Sequence, residues 1–247
     1  MWANNETGII QPVEEAIELC QRHNTAFHTD AVQVVGKQEI SVKEHPIDML
    51  SLSGHKLHGP KGIGALYVRS GCRMIPYLHG GGQESEIRSG TENVAGIIGL
   101  GVAAEEALSQ KSKISVTVGA VRDAFESKVL EIVPGAEVNG NLKHRLPTHS
   151  HISFEHCEAE GLVILLDEYG LLCSSGSACM TGKQQPSHVQ RAMGFSEKRA
   201  KSSLRFSFSP QNTMDEAFTA AELVKKAVDK LRSVQNPSTG PVTIYTP

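Results

Sequence analysis

The sequence predicts an α/β fold, and three observations near its start support that prediction. Residues 12–23 form an amphipathic pattern in which Val13, Ile17 and Cys20 share one face, as in a surface helix. Short apolar runs that end in polar or glycine-rich residues follow this helix, as buried strands do; they are "AFHTDA", "IDMLSLSG" and "IGALYV". Because the connections between these segments are short, we expect the helix and strands to form adjacent layers.

The rest of the chain alternates helical and strand patterns in the same way. After a polar, glycine-rich loop at 80–93, the pattern is helical from Val94 to about Leu130 and breaks at Pro134–Gly135. A strand, a helix, a long loop of small residues, a helix, a strand and a long amphipathic helix follow; in order they are "HISFEH", "AEGLVILLDEYG", "SSGSACMTGKQQ", "PSHVQRAMG", "SLRFSFS" and "TMDEAFTAAELVKKAVDKLRSV".

These patterns divide the chain near residue 110. We expect part of a larger domain at 1–110, a smaller α/β domain at 111–235 and a loose tail at 236–247.

The composition excludes several classes of protein. The 247 residues carry a net charge of −3, so no basic field indicates a nucleic-acid partner. No apolar stretch approaches the roughly 20 residues of a membrane span, and the first residues lack the pattern of a signal peptide. Five scattered cysteines, an odd number, favour reduced thiols inside a cell over a disulfide framework; they are Cys20, Cys72, Cys157, Cys173 and Cys179.

A lysine stands where a buried strand is expected to end. The apolar run Met49–Leu52 stops at Ser53–Gly54, and His55 and Lys56 follow in a glycine-rich turn. Desolvation at such a position would favour the neutral, nucleophilic amine that a Schiff-base lysine needs. The alternative is an ordinary loop lysine whose aliphatic stem covers apolar surface while its ammonium group stays in water.

A carboxylate ends the preceding strand. Asp30 closes "AFHTD", and Gln33 lies about one turn further on. A carboxylate at the end of a buried strand needs a cationic partner, and the protonated pyridine nitrogen of pyridoxal phosphate is one. The alternative is a surface aspartate that caps a short helix.

Two further side chains suggest chemistry in the second half. Cys179 lies in a loop of small residues that suits a mobile nucleophile, whereas Cys173 follows two leucines and is expected to be packed. Arg205 shares a strand face with two serines, which suits bidentate binding of a carboxylate; the alternative is an edge-strand arginine that faces water.

A histidine cluster raises the question of a metal site. No carboxylate or second cysteine completes a ligand set at a familiar spacing, so we predict no metal there; the cluster is His144, His149, His151 and His156 with Cys157.

Seven motifs together resemble the cysteine desulfurases of the NifS/IscS type, which are class V aminotransferases of the pyridoxal phosphate fold type I. They are "ANNETG", "HTDAVQ", "SLSGHKLHGPKGIGALYV", "GGGQE", "RSGTEN", "SSGSAC" and "LRFSFS", and they occur in the family's order over residues 1–210. The resemblance implies an α/β fold made of the C-terminal part of a large domain, with a mainly parallel sheet and flanking helices, and a smaller C-terminal domain.

The resemblance also implies the roles of the site residues. Catalysis would rest on Lys56, Cys179 and His55. The cofactor, pyridoxal 5'-phosphate, would be held by Asn5, Asp30, Gln33, Ser53, His55, Lys56 and Thr91. Asn5 and Arg205 would bind the substrate, and Thr91 would reach the phosphate in the partner subunit of a homodimer.

The implied activity is the removal of sulfur from L-cysteine, which gives L-alanine and a persulfide on Cys179. A sulfur-acceptor protein, such as an iron–sulfur scaffold, would be the partner. Selenocysteine lyase is an alternative activity, and a non-catalytic interaction module is an alternative of another class.

The resemblance also predicts that a large N-terminal portion of the family is absent from this chain. Such a portion would carry part of the phosphate site and any targeting segment. The compartment is therefore expected to be intracellular, either cytoplasmic or mitochondrial.

Overall fold

The structure, a computed structural model, describes residues 1–176 and 186–235. These residues form two compact units. The first unit contains Met1–Asn4 and Ile9–Ser115; the second contains Asn5–Gly8 and the residues from Val116 onward. The domain division predicted at residue 110 stays a prediction, and the predicted tail at 236–247 lies outside the described residues.

The first unit is built around a three-stranded sheet. Its elements are helix α1 (Val13–Arg22), strands β1 (His28–Asp30), β2 (Met49–Ser53) and β3 (Gly64–Val68), and helices α2 (Val94–Ser109) and α3 (Lys111–Lys113). The strand order is β1-β2-β3; β1 runs parallel to β2, and β3 runs antiparallel to it. These three strands therefore form a mixed sheet.

The second unit is built around a four-stranded antiparallel sheet of order β4-β5-β7-β6. The strands are β4 (Ala136–Val138), β5 (His149–Phe154), β6 (Ser174–Ser175) and β7 (Ser203–Ser207). The helices are α4 (Gly119–Ile132), α5 (Ala159–Glu168), α6 (His188–Ala192), α7 (Glu197–Lys201) and α8 (Met214–Gln235).

The two faces of this second sheet differ in chemistry. Ile152 and Phe154 on β5, with Leu204 and Phe206 on β7, belong to a buried apolar cluster that includes residues of α4, α5 and α8. The alternate residues are polar, since successive side chains of a strand point to opposite faces; they are His149, His151 and Ser153 on β5 and Ser203, Arg205 and Ser207 on β7.

The helix predicted from Val94 to about Leu130 is interrupted. Helix α2 ends at Ser109, and a π-helical turn at Ile114–Val118 separates α3 from α4. The sequence of that turn, "ISVTV", is rich in β-branched residues, which lose side-chain freedom in a helix. Strands β4 and β6 and helix α7 were not predicted, because they are too short to show a hydrophobic period.

In the part of the chain that is described, no helix is both long and apolar enough to cross a membrane.

Candidate functional site

Four predicted site residues lie at one edge of the first unit's sheet. Asp30 is the last residue of β1, and Ser53 is the last residue of the parallel strand β2. A 3₁₀ turn at Gly54–Leu57 follows directly and carries His55 and Lys56. Ligands of α/β sheets bind outside the carboxyl ends of parallel strands, and these four residues lie at the carboxyl ends of β1 and β2.

Hydrogen bonds to the backbone orient Asp30. Its Oδ1 accepts a hydrogen bond from the backbone N–H of Val32 at 2.9 Å. Its backbone carbonyl accepts one from Trp2 at 2.8 Å, while the N–H of Ala31 donates to the carbonyl of Ser51. The strand end is therefore tied on both sides, and the carboxylate has a defined direction.

A helical turn follows Asp30 and carries Gln33. The N–H groups of Val34 and Val35 donate to the carbonyl of Ala31, which forms this turn. Gln33 is buried, and its Oε1 accepts a hydrogen bond from Lys37 Nζ at 3.3 Å. The local backbone thus keeps Gln33 close in the chain to the end of β1.

The turn after β2 depends on two glycines. A Cβ added at Gly54 would lie 2.9 Å from Ile63 Cγ2, and one at Gly64 would lie 2.6 Å from the carbonyl oxygen of Leu52. Both distances are too short for a side chain, so the sequence can make this turn only with glycine. The turn brings Ser53 Oγ and His55 Nδ1 within 3.0 Å of each other.

Lys56 is half-buried inside this turn, and Thr91 is exposed in the loop before α2. The structure therefore gathers Asp30, Ser53, His55 and Lys56 at one sheet edge and leaves Thr91 on a separate loop. The role of each residue stays a prediction.

Arg205 lies in the second unit, in the middle of an interior strand. Strand β7 is flanked by β5 and β6, so the alternative of a solvent-facing edge-strand arginine is wrong. Its Nη1 donates to the backbone carbonyl of Asn5 at 2.9 Å, and its Nη2 donates to Ser174 Oγ at 3.4 Å. The guanidinium group is therefore held on the polar face of the sheet.

A buried histidine pairs with Arg205 across the strands. His151 lies opposite Arg205 in the β5–β7 register and is fully buried. Its Nδ1 lies 3.1 Å from Asn139 Nδ2, and Asn139 Oδ1 accepts a hydrogen bond from Arg199 Nε at 2.9 Å. Burial, assisted by the positive charges of Arg205 and Arg199, lowers the pKa of His151 to about 4, so the ring is neutral at pH 7.

The absence of a metal site at the histidine cluster stays a prediction. Residues 1–176 and 186–235 contain no group of three or more His, Cys, Asp or Glu side chains that could hold a metal ion. His151 takes part in the polar contacts above, and His149 Nδ1 lies 3.0 Å from Thr148 Oγ1.

Two of the described cysteines, Cys157 and Cys173, belong to or pack against the apolar cluster of the second unit. Burial raises the pKa of Cys173 to about 12 and also raises the pKa of Cys157, so both thiols stay protonated at neutral pH. This agrees with the prediction of a packed Cys173. Cys179, the predicted nucleophile, lies outside the described residues.

The sequence patterns did not single out two polar residues that contact each other in the second unit. Glu6 is buried, and its carboxylate accepts a hydrogen bond from the hydroxyl of Ser187. Glu6 lies within the motif "ANNETG". The family resemblance implied a binding role for Asn5 of that motif but none for Glu6. No sequence period could have joined two residues that lie 181 positions apart.

Comparisons with known proteins show that this chain is similar to the members of one family. A family model described as Aminotransferase class-V matches residues 1–218. The cysteine desulfurase NifS of Azotobacter vinelandii is 49% identical over 234 residues, which are 95% of this chain and 58% of that protein. The cysteine desulfurase IscS of Methanosarcina thermophila is 44% identical over the same shares.

Solved structures agree with the sequence comparison. A NifS-like protein from Rickettsia africae is similar with a TM-score of 0.84 and 32% identity, over 92% of this chain and 60% of that one. This likeness confirms the predicted fold class. The chain spans about 58% of the length of the curated relatives that it matches.

Proposed function

The chain belongs to the class V aminotransferase family, and from that membership we propose that it acts as a pyridoxal phosphate-dependent cysteine desulfurase. The proposed reaction takes sulfur from L-cysteine, gives L-alanine and leaves a persulfide on Cys179. The observation that carries this proposal is the grouping of Asp30, Ser53, His55 and Lys56 where β1 and β2 end.

The residues at this sheet edge fit the cofactor chemically. The carboxylate of Asp30 suits a pyridine N–H, the amine of Lys56 suits an aldehyde, and the hydroxyl and imidazole of Ser53 and His55 suit phosphate oxygens. Gly54 and Gly64 let the backbone of this turn pack closely, since a Cβ at either position would meet Ile63 or Leu52. Pyridoxal phosphate, when bound, withdraws electrons from the Cα of an amino acid.

The predicted site residues would have distinct tasks in the proposed reaction. Lys56 would hold the cofactor and move the Cα proton, and Gln33 and Asn5 would hydrogen-bond near its phenolic oxygen. His55 and Ser53 would hold the phosphate, and Thr91 would bind the phosphate of the partner subunit's cofactor in a homodimer. A sulfur-acceptor protein then takes the persulfide sulfur.

Arg205 binds the carboxylate of the substrate in this proposal. The carbonyl of Asn5 and the hydroxyl of Ser174 hold its guanidinium group on the polar face of the sheet, and the planar fork of a guanidinium suits a bidentate contact with a carboxylate. A guanidinium group fixed before binding loses less freedom when the substrate arrives.

Cys179 accepts the sulfur. Its thiolate attacks the sulfur of the substrate, a sulfur–sulfur bond forms, and the carbon–sulfur bond breaks. The electron pair of that bond stays with the carbon, which then takes a proton to give alanine. The relatives reported above are named cysteine desulfurases, so the selenocysteine lyase alternative is not proposed.

The test of the cofactor assignment begins with pyridoxal phosphate added to the purified chain. We expect visible absorbance, and borohydride should trap the cofactor on Lys56 in mass analysis. Lys56→Ala should abolish the absorbance, while Lys61→Ala, an exposed lysine of the same loop, should keep it. Absorbance that survives in Lys56→Ala contradicts the assigned lysine.

The test of the sulfur acceptor uses the same preparation. Cys179→Ser should keep cofactor absorbance but form no persulfide from L-cysteine, and Cys173→Ser serves as the control because its thiol is buried. Sulfide released from L-cysteine by Cys179→Ser would identify another nucleophile. A folded chain that binds no pyridoxal phosphate would favour the interaction-module alternative instead.

A further inference from the structure

The turn Asn5–Gly8 makes polar contacts with two distant elements of the second unit. The carbonyl of Asn5 accepts a hydrogen bond from Arg205 Nη1 at 2.9 Å. The carboxylate of the next residue, Glu6, accepts one from Ser187 Oγ at 2.6 Å. One short turn therefore contacts both β7 and the residue that caps α6.

The carboxylate of Glu6 lies in an unusual environment. Glu6 is only 1% exposed, and burying a carboxylate costs free energy unless hydrogen bonds compensate for the lost water. The hydrogen bond from Ser187 supplies one such compensation and holds Oε2 of Glu6 in place.

Ser187 passes this constraint to helix α6. Its Oγ also accepts a hydrogen bond from the backbone N–H of Gln190 at 3.3 Å, which makes Ser187 the N-cap of the helix. Through Ser187, the Glu6 carboxylate is therefore linked to the start of helix α6.

The other end of the turn is fixed by Gly8. This residue has a φ of +74°, and a Cβ added to it would lie 2.6 Å from His149 Cβ. Its carbonyl accepts a hydrogen bond from the N–H of Leu146 at 2.9 Å. With Gly8 and Glu6 both anchored, the Asn5 carbonyl has little freedom to turn away from Arg205.

We propose that Glu6 is a positioning residue for substrate binding, which acts by fixing the turn whose Asn5 carbonyl orients Arg205. This rests on the proposed function, since that function gives Arg205 its carboxylate ligand. Without the Glu6–Ser187 hydrogen bond the turn loosens, and the guanidinium group samples orientations that cannot bind a carboxylate bidentately.

The location of the turn explains why its effect concerns binding more than folding. Arg205 and Asn5 meet on the polar face of the sheet, whereas the apolar cluster of this unit lies on the opposite face. Loosening the turn therefore leaves the packed core intact.

The kinetic test compares variants of the cofactor-loaded chain. Glu6→Ala should raise KM for L-cysteine about tenfold with kcat within about twofold, since a guanidinium group that is in its binding orientation only about one-tenth of the time weakens the apparent affinity tenfold. Glu6→Gln keeps an oxygen that can accept from Ser187, so its KM should stay closer to that of the parent chain. Glu160→Ala, an exposed glutamate of the same unit, is the control.

A second measurement needs neither cofactor nor turnover. In Glu6→Ala, amide hydrogen exchange should become about tenfold faster at Gln190, whose N–H donates to Ser187, and at Leu146, whose N–H donates to Gly8. Heteronuclear NMR of the Arg205 guanidinium should show faster side-chain exchange. Glu160→Ala should change none of these signals.

The outcomes separate this inference from the proposed function. An unchanged KM, or a fall in kcat at constant KM, overturns the inference while the desulfurase activity stands. A parent chain that binds the cofactor but releases no sulfur overturns the proposed function. In that case exchange at Gln190, Leu146 and Arg205 decides the inference, and unchanged exchange overturns it.

Discussion

The two units of the chain bury their apolar side chains to different extents. In the second unit, aromatic and aliphatic residues of β5, β7, α4, α5 and α8 form one buried cluster, in which the ring of Phe125 makes tilted contacts with the rings of Phe206 and Phe208. In the first unit, helix α2 exposes large apolar side chains to water, among them Ile98 at 62% and Leu108 at 73%.

This difference means that the proposed site residues of the two units are supported in different ways. Arg205 stands on a sheet whose other face is a packed core, so its backbone is rigid for reasons unrelated to binding. Asp30 ends β1 and Lys56 lies in the turn after β2, in a sheet of three short strands whose turn packs closely at Gly54 and Gly64. We expect the second unit to have the larger free energy of unfolding.

The largest expected loss of stability comes from a substitution in the core of the second unit. Phe125 is 1% exposed, and Phe125→Ala should lower the free energy of unfolding by about 3–5 kcal/mol, since it removes a packed ring and leaves a cavity. Urea unfolding followed by far-ultraviolet circular dichroism measures this change. The single tryptophan, Trp2, lies in the first unit, so its fluorescence transition should shift less.

Phe218→Ala is the matched control, because this phenylalanine of α8 is 47% exposed. It should cost less than about 1 kcal/mol. Equal shifts of the dichroism and fluorescence transitions in Phe125→Ala would mean that the two units unfold together, and the contrast between them would lose its energetic meaning.

The second prediction concerns how the stability of the second unit depends on pH through His151. The folded-state pKa of His151 is about 4 and its ordinary value is 6.5, so the unfolded chain binds a proton first as the pH falls. The second unit should therefore lose about 3 kcal/mol between about pH 6.5 and pH 4, and nothing from this residue above that range.

His151→Gln should remove this component, which appears as the difference between the two stability curves measured by urea unfolding. His156→Gln is the control, because the side chain of His156 is 55% exposed. Parallel acid slopes in the parent chain and in His151→Gln would show that the ring does not stay neutral in the folded state.

The smallest expected effect concerns the exposed face of α2. Ile98→Ser should change the stability of the first unit by no more than about 0.5 kcal/mol and should reduce the binding of a hydrophobic dye. Leu50→Ala on β2, where the leucine is 5% exposed, should cost about 2–5 kcal/mol in the same unit. Similar losses in both variants would show that α2 is packed.

Much of the fold could be predicted from the sequence because the longer elements have clear hydrophobic periods. Helices α1 and α8 and strands β2, β5 and β7 follow the predicted segments closely. The interruption at Ile114–Val118 was missed because the apolar pattern runs through it, and only the β-branched residues point to a local change of helix type.

The candidate site was predictable where the signal is local in the chain. Asp30 and Lys56 follow apolar runs directly, so their positions at strand ends could be read from neighbouring residues. The carbonyl of Asn5 that holds Arg205 and the hydroxyl of Ser187 that holds Glu6 could not, since each partner comes from the far end of the chain.

The long separation of these partners also has a consequence for synthesis. Asn5 and Arg205 are 200 residues apart in sequence. At roughly 5–20 residues per second, a ribosome needs about 10–40 seconds to make that stretch, so the N-terminal turn waits in the nascent chain until β7 emerges. The contact between Asn5 and Arg205 therefore forms only after the residues between them have been made, and chain-closure entropy makes it slow to form.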